Sequence, residues 1–344
     1  MAIVNFLLPI IAFFLADWFF EPLHAMFIAL GLSVVLMIIE SIKTKKIATS
    51  HIFDIILIVV FGLVEHFCSD DKSGLTMGLV TSLFIAVMMF PGLSMTEKML
   101  QRFPLLGLDN PYKKYLVKKC QQRMIVWALF AALMYASAIL ADDAKISELI
   151  STYAIWTVLS GYIATELIVN RLTHRKYRKV EWVPLMNEDG KMMGWAPRPL
   201  VHNGSLWLHP VVHLHVINDN KLLLQLRPKT KKIQPGKWDT AVGGHIALNE
   251  KIETALLREA WEEIGLREFE AQLVKQYVWK SNVEQEYVFS FVTNTQGPFN
   301  PKNIEEVDEL RFWTKENLLN DIGKDVFTPN LEHELKEWIL PLLK

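Results

Sequence analysis

The sequence has few cysteines and almost no net charge. Its 344 residues include only Cys68 and Cys120, so no cysteine follows residue 120. Two cysteines at this spacing exclude a disulfide framework and a cysteine-based zinc site. The net charge of −1 arises because 36 basic and 37 acidic residues nearly cancel, and by itself it excludes little. The arrangement of charges along the chain therefore carries more information than their sum.

The sequence also lacks a basic segment before its first apolar run at residues 4–20. Because further apolar runs follow, we do not expect a cleaved signal peptide. With 51% hydrophobic and 21% charged residues, the chain is too apolar for a soluble enzyme over its whole length. The length predicts two domains, and we place a transmembrane domain at 1–175 and a cytoplasmic domain at 176–344.

Six apolar runs of about the length that crosses a bilayer predict an all-α polytopic membrane domain. They lie at residues 4–20, 25–39, 52–67, 75–90, 124–140 and 149–169. Basic loops such as SIKTKK and NRLTHRKYRK alternate with the acidic loops SDDKSG and ADDAKISE. Because basic loops stay inside, we expect a multi-pass protein of the bacterial inner (plasma) membrane with both termini in the cytoplasm. A soluble helical bundle is the alternative interpretation.

The order of these runs and loops, with the opening NFLLPIIAFF, resembles the bacterial intracellular septation protein A family over residues 1–175. The resemblance implies an inner-membrane protein connected with the cell envelope and division. Ionisable residues in or beside the runs, among them Asp17, Glu65 and Glu166, leave transport open as a further alternative.

The second half of the chain changes to short alternating strands with the turn signals NEDG and NDN, which predict a soluble α+β domain. Within it, IETALLREAWEEIG has the apolar spacing of a helix. Three carboxylates, Glu259, Glu262 and Glu263, stand at i, i+3 and i+4 and so share one face. Such clustering suits a hard divalent cation that takes oxygen ligands, Mg²⁺ or Mn²⁺. The alternative is a solvated acidic helix face.

The stretch GGHIALNEKIETALLREAWEEIGL matches the Nudix box, and the domain therefore resembles the Nudix hydrolases. The resemblance implies a Nudix fold, an α/β/α sandwich, and hydrolysis of a diphosphate. It assigns metal binding to Glu259, Glu262, Glu263 and the Gly243 carbonyl, with Glu262 and Glu263 central to catalysis. It also assigns structural roles within the box to four residues, namely Gly244, Glu250, Arg258 and Gly265.

The segments flanking the box resemble isopentenyl diphosphate isomerase. On this resemblance, five residues match an additional metal site, namely His202, His209, His245, Glu284 and Glu286. Arg227 and Lys231 match diphosphate-binding residues, and Glu286 is also our candidate general base. The isomerase carries its proton-transferring cysteine where this chain has Gly243, so allylic isomerisation lacks one of its two proton carriers. We interpret His213 and His215, which alternate with apolar residues, as structural.

Together these features predict a membrane-anchored, metal-dependent Nudix hydrolase that cleaves a nucleoside diphosphate or a prenyl or lipid diphosphate. The expected cofactor is Mg²⁺ or Mn²⁺, and the expected partners are a small-molecule diphosphate and the lipid bilayer, with no nucleic acid. Two alternatives stay open: an envelope or septation scaffold whose Nudix domain senses a diphosphate, and an isomerase-like enzyme.

Overall fold

The computed structural model describes residues 2–44, 51–67, 70–90, 109–141, 143–231, 233–301 and 307–344. Residues 45–50 and 91–108, which carry parts of the predicted basic loops, lie outside the described residues. The chain divides into two compact units. One comprises Met1–Asp109 and Lys113–Lys176, and the other comprises Asn110–Tyr112 and Tyr177–Lys344.

The described part of the N-terminal unit is helical. Its helices are α1 (Ala2–Asp17), α2 (Pro22–Thr44), α3 (His51–Phe67), α4 (Asp70–Met88), α5 (Pro111–Ala141) and α6 (Ala144–Tyr177). Each helix contains one of the six predicted apolar runs or most of it. Three are long and apolar enough to cross a membrane, with spans at Leu23–Ile42, Pro111–Ala141 and Ala144–Tyr177. The prediction of about six spans is therefore supported in its coarser form, as an apolar helical region with three candidate spans.

Glycines allow the helices of this unit to approach one another closely. A Cβ atom on Gly62 would lie 2.7 Å from Met26, one on Gly78 2.4 Å from the Tyr135 ring, and one on Gly161 2.2 Å from the Trp127 ring. Small residues have this role at contacts between apolar helices.

An ion pair also joins α5 to α6. Arg123 donates two hydrogen bonds of 2.7 Å to Glu166, from Nε and from Nη2. Glu166, one of the ionisable residues that leave transport open, therefore has a charged partner on the neighbouring helix.

The C-terminal unit is built on a seven-stranded mixed sheet with a separate hairpin. The hairpin is β1 (Trp182–Met186) and β2 (Met192–Pro197), followed by the short helix α7 (Arg198–Val201). The sheet contains β3 (His209–Asn218), β4 (Lys221–Leu226), β5 (Trp238–Thr240), β6 (Val242–His245), β7 (Gln272–Lys280), β8 (Gln285–Asn294) and β9 (Glu309–Thr314). The central strand β3 pairs with β4 and β6 antiparallel and with β8 parallel.

Helices cover both faces of this sheet, as expected for an α/β/α sandwich. Helix α8 (Ile252–Ile264) packs on one face, where Val212, Leu214 and Val216 join its apolar residues in one core. The other face is covered by α9 (Lys315–Asp321), α10 (Pro329–Glu334), a π-helical turn (Leu335–Ile339) and a 3₁₀ turn (Leu340–Leu342). Because side chains alternate along a strand, the odd-numbered residues of β3 face this second layer.

Turn residues occur where the sequence predicts them. The β3–β4 hairpin turns through Asp219 and Asn220, both with positive φ, at 46° and 60°. Asn and Asp tolerate this left-handed conformation, which two-residue hairpins require. The NEDG turn similarly joins β1 to β2, with Gly190 at φ 77°.

Candidate active site

Helix α8 begins after the glycine loop and ends at Gly265, whose φ of 72° is left-handed. A Cβ atom there would lie 2.1 Å from the Asn300 carbonyl oxygen, so only glycine fits this helix end. The requirement for glycine at position 265 therefore sets the C-terminal end of α8, and the acidic residues lie in the turns just before it.

Arg258 ties the loop before α8 to the helix. Its Nε and Nη2 donate hydrogen bonds of 2.9 Å to the two carboxylate oxygens of Glu250, and Nη2 also donates to the His245 carbonyl at 3.0 Å. Glu250 accepts a further bond from the Ala247 amide at 2.9 Å. The hydrogen bonds from Arg258 hold the pKa of the Glu250 carboxyl below its usual range. The structural roles predicted for Glu250 and Arg258 therefore have a clear geometric basis.

Two glycines bring the backbone of β6 against the acidic face of α8. A Cβ atom on Gly244 would lie 2.0 Å from Glu259 Cδ, so a side chain there would collide with this carboxylate. The Gly243 amide donates to Glu263 Oε2 at 2.9 Å, and Gln225 Nε2 donates to the same oxygen at 3.0 Å. The Gly243–Gly244 backbone is thus in direct contact with the helix carboxylates.

The three predicted metal-binding carboxylates differ in exposure. Glu259 and Glu263 are 8% and 6% exposed, whereas the Glu262 side chain is 48% exposed at the solvent edge. Arg258 Nη1 lies 2.7 Å from Glu259 and 3.5 Å from Glu262. Buried carboxylates need a positive partner, and an all-oxygen donor set beside a backbone carbonyl suits Mg²⁺ or Mn²⁺. These residues therefore fit the predicted cation.

A second cluster contains three of the predicted histidines. One ring nitrogen from each of His202, His209 and His245 lies within 4.8 Å of the other two, and His202 Nε2 is 2.9 Å from His245 Nε2. His209 Nδ1 contacts the Trp207 carbonyl at 2.9 Å, while its buried Nε2 has no hydrogen-bond partner among the described residues. A neutral imidazole that donates through Nδ1 presents Nε2 as a lone pair, which is the form that binds metals.

Burial keeps these imidazoles neutral. It lowers the pKa of His202, lowers that of His209 to about 4, and lowers that of His245 well below its usual value. Glu284 Oε2 lies 4.0 Å from His202 Nδ1. Burial raises the pKa of the Glu284 carboxyl. The structure thus places Glu284 beside the histidines but outside the 4.8 Å group.

Glu286 lies next to the histidine cluster on β8, paired in register with His209. Asn330 Nδ2 donates to its Oε2 at 3.1 Å, and Tyr277 donates its hydroxyl to Asn330 Oδ1 at 2.5 Å. Burial, and then the charge of Glu284, raise the pKa of Glu286 to about 8. Glu286 lies outside the 4.8 Å group of histidines, and its place in a metal site stays a prediction.

An ionic group that sequence analysis missed is buried on the same face of the sheet. Glu334, at the end of α10, is 0% exposed, and its carboxylate lies 3.1 Å from His213 Nδ1 and 3.1 Å from His215 Nε2. Burial alone would lower the pKa of His213, but the Glu334 charge raises it to about 9. The two imidazoles likewise overcome burial and lower the pKa of Glu334.

The alternation of His213 and His215 along β3 was the one sequence signal for this group, because it places both on one face. Nothing near them in sequence supplies the carboxylate, since Glu334 lies 121 residues beyond His213. The same applies to Asn330 and Tyr277, which reach Glu286 only through the packing of α10 and β7 on β8.

Arg227 and Lys231 lie on the loop between β4 and β5. Arg227 Nη1 contacts Asp239 Oδ2 at 2.9 Å, and Nη2 donates to the Ile233 carbonyl at 3.2 Å. The Lys231 amide donates to the Pro228 carbonyl in a turn. Arg227 therefore organises this loop, and diphosphate binding by both residues stays a prediction.

Comparison with known proteins identifies the family of the C-terminal unit. Residues 207–332 match the family model of the NUDIX domain. An isopentenyl-diphosphate Delta-isomerase of Paenarthrobacter aurescens is 32% identical over 148 residues, 41% of this chain and 79% of that protein. The Nudix hydrolase YfcD of Escherichia coli is 27% identical over 170 residues, 49% of this chain and 92% of that protein. An isomerase of Leifsonia xyli is 38% identical over 86 residues, 25% of this chain and 46% of that protein. The chain therefore belongs to the Nudix hydrolase family.

Proposed function

We propose that this enzyme is a membrane-anchored hydrolase that cleaves the diphosphate linkage of a substrate X-diphosphate, using Mg²⁺ or Mn²⁺. Here X denotes the group attached to the diphosphate. The observation that carries the proposal is the contact of the Gly243–Gly244 backbone with the carboxylates of Glu259 and Glu263. The contact supports the proposal because it brings the backbone of β6 against two buried carboxylates, while Glu262 is exposed to solvent on the same helix.

In this mechanism Glu259, Glu262, Glu263 and the Gly243 carbonyl would hold the cation. When bound, the cation supplies electrostatic stabilisation of the diphosphate and acidifies a water molecule. Arg258 and Glu250 keep the loop and helix in register, so the charges are in position before the reaction begins. Arg227 and Lys231 would bind the diphosphate from the β4–β5 loop.

Glu286 is the proposed proton acceptor. It is buried, it is oriented by Asn330, and its pKa of about 8 lies near neutral pH, where a general base works best. Isomerisation, the activity named for two of the relatives, is disfavoured because Gly243 offers no proton-transferring side chain. An isomerase would need a second proton carrier from elsewhere in the site.

We also propose that His202, His209 and His245 hold a second metal ion, with Glu284 as a further ligand. In this arrangement Glu286 is a ligand of the same ion as the alternative to its role as proton acceptor. The unpartnered, buried Nε2 of His209 supports this proposal. Metal analysis of the purified protein tests it. We expect one tightly held ion per chain beyond those removed by mild chelation, and its loss in His209→Ala.

The three candidate spans support anchoring in a bilayer. We propose the bacterial inner membrane, with six crossings and both termini in the cytoplasm, and the resemblance to the septation protein A family stays a prediction.

If X is a prenyl or lipid group, a short tether raises the effective concentration of the metal site beside the bilayer. Cleaving the chain near Arg175 would then slow turnover of long-chain lipid diphosphates far more than that of isopentenyl diphosphate.

Turnover of a substrate panel tests the hydrolase proposal. Full-length protein in detergent, supplied with Mg²⁺ or Mn²⁺, is offered nucleoside, sugar and prenyl diphosphates while phosphate or monophosphate release is measured. We expect metal-dependent release from some of them. Binding without release from any of them would favour the sensor alternative, in which Glu262→Gln leaves the biological role intact.

A further inference from the structure

The ionic group formed by His213, His215 and Glu334 plays no part in the mechanism above. Burying charges costs free energy unless they are well paired, and apolar residues at such positions often give a more stable protein. A buried ionic group beside a candidate site therefore calls for a functional explanation.

Only one of the two histidines borders the site. His213 pairs in register with Gly243, and Gly243 is exposed. A Cβ atom on Gly243 would lie 3.8 Å from His213 Cδ2 and 3.9 Å from its Nε2. The Cδ2–Nε2 edge of this ring therefore forms a wall of the space above Gly243.

His215 has the same carboxylate partner as His213 but different surroundings. It is 0% exposed, and its Nδ1 lies 3.3 Å from the Thr240 hydroxyl. Its position lets it hold Glu334 without reaching the space above Gly243.

The position of His213 also defines which part of a substrate it can reach. The α8 carboxylates lie on one face of the sheet, and His213 lies on the opposite face with α10. In the proposed function the α8 carboxylates hold the diphosphate beside Gly244, and the exposed backbone of Gly243 is the adjoining surface on which we place the X group. His213 Nδ1 is committed to Glu334, so Nε2 is the atom that meets this group.

We propose that His213 is a substrate-contacting residue whose Nε2 forms a hydrogen bond with a polar atom of X, and that Glu334 is its positioning residue. The proposal rests on the proposed function for the location of the diphosphate. It implies that X carries a hydrogen-bonding group at this point, because a hydrocarbon there would leave the imidazole edge without a partner.

Binding of non-hydrolysable analogues tests this role independently of turnover. Full-length protein in detergent with Mg²⁺ is titrated with α,β-methylene-ADP and with geranyl methylenediphosphonate, for the parent and for His213→Gln, Glu334→Gln and His215→Gln. We expect His213→Gln to weaken binding of the ADP analogue by about 10- to 100-fold, as for loss of a hydrogen bond to a charged group. Binding of the geranyl analogue should change less than about threefold. Glu334→Gln should show a smaller loss confined to the ADP analogue, and His215→Gln, which removes only a partner of Glu334, should lose no more than Glu334→Gln.

Melting temperatures measured alongside show which variants are folded. If His213→Gln does not fold, Glu334→Gln carries the test, because it retains both imidazoles and an acceptor for Nδ1. Equal affinity of the parent and His213→Gln for the ADP analogue, an equal loss on both analogues, or no binding by the parent would each overturn the proposal. Selective loss of binding in a protein that turns over no panel substrate would support this role of His213 and refute hydrolysis.

Discussion

Arg258 and Glu250 face each other with two parallel hydrogen bonds of 2.9 Å, one from Nε and one from Nη2. A lysine at position 258 cannot form this pair, because it has a single charged nitrogen. We therefore expect Arg258→Lys to lower the free energy of unfolding of the C-terminal unit by roughly 1–2 kcal/mol. This range already allows for the partial exposure of the Arg258 side chain to solvent. Denaturant unfolding followed by tryptophan fluorescence measures this change. Lys336→Ala, which removes a more exposed ion pair with Glu332, is the control and should change stability by less than about 0.5 kcal/mol.

The two loop glycines should differ sharply in their tolerance of a methyl group. On Gly244 the new Cβ would lie 2.0 Å from Glu259 Cδ, whereas on Gly243 it would lie 3.6 Å from the nearest atom, Thr240 Cγ2. Gly244→Ala should therefore displace Glu259 and reduce metal-dependent turnover by at least about 100-fold, as for loss of an electrostatic group in a site. Gly243→Ala should leave Glu259 in place and change the free energy of unfolding by less than about 0.5 kcal/mol. Equal stabilities for the two variants would contradict the assigned contact with Glu259.

The glycine loop, α8 and the glycine at its C-terminal end were predictable from sequence because their contacts are local. Glu250 and Arg258 are eight residues apart, and the three carboxylates occupy one helix face. The histidine cluster could also be predicted, but only through resemblance to a known family. Glu334 and Asn330 could not, because they enter the site from α10 on the far side of the sheet. The number of membrane crossings was not fixed either, since α1 and α3 have only 16 and 17 residues.

The His213–Glu334 pair should make stability depend on pH above neutrality. The folded-state pKa of His213 is about 9 against an ordinary value of 6.5, so the pair stabilises fully below pH 6.5 and less as the pH rises to 9. Glu286 and Asp239 also face His213, and each raises its pKa in the ionised form. We expect the free energy of unfolding of the parent to fall by roughly 2 kcal/mol between these pH values, because the buried His213 has a higher pKa in the folded state. Urea unfolding at both ends of the window should show a smaller loss in Glu334→Gln, and equal losses would contradict the assignment.

Membrane topology can be decided by testing whether the chain crosses the membrane an even or an odd number of times. Six crossings place the N-terminus and Lys179 on the same side, whereas the three candidate spans alone place them on opposite sides. Because basic loops stay inside, we expect reporters at the N-terminus and after Lys179 both to be cytoplasmic, and reporters at Asp71 and Asp143 to be periplasmic. A periplasmic signal after Lys179 would contradict access of the site to cytosolic substrates.

Incorporation of labelled oxygen from water tests the central claim of hydrolysis most directly. Full-length protein with Mg²⁺ is incubated with panel diphosphates in water enriched in heavy oxygen, and the products are examined by mass spectrometry. The account predicts one heavy oxygen in a released phosphate or monophosphate. It also predicts a loss of several orders of magnitude in Glu263→Gln, and normal incorporation in Glu253→Gln, which alters an exposed residue in the first turn of the same helix. No labelled product from any diphosphate, or an unlabelled allylic isomer formed from isopentenyl diphosphate, would contradict it.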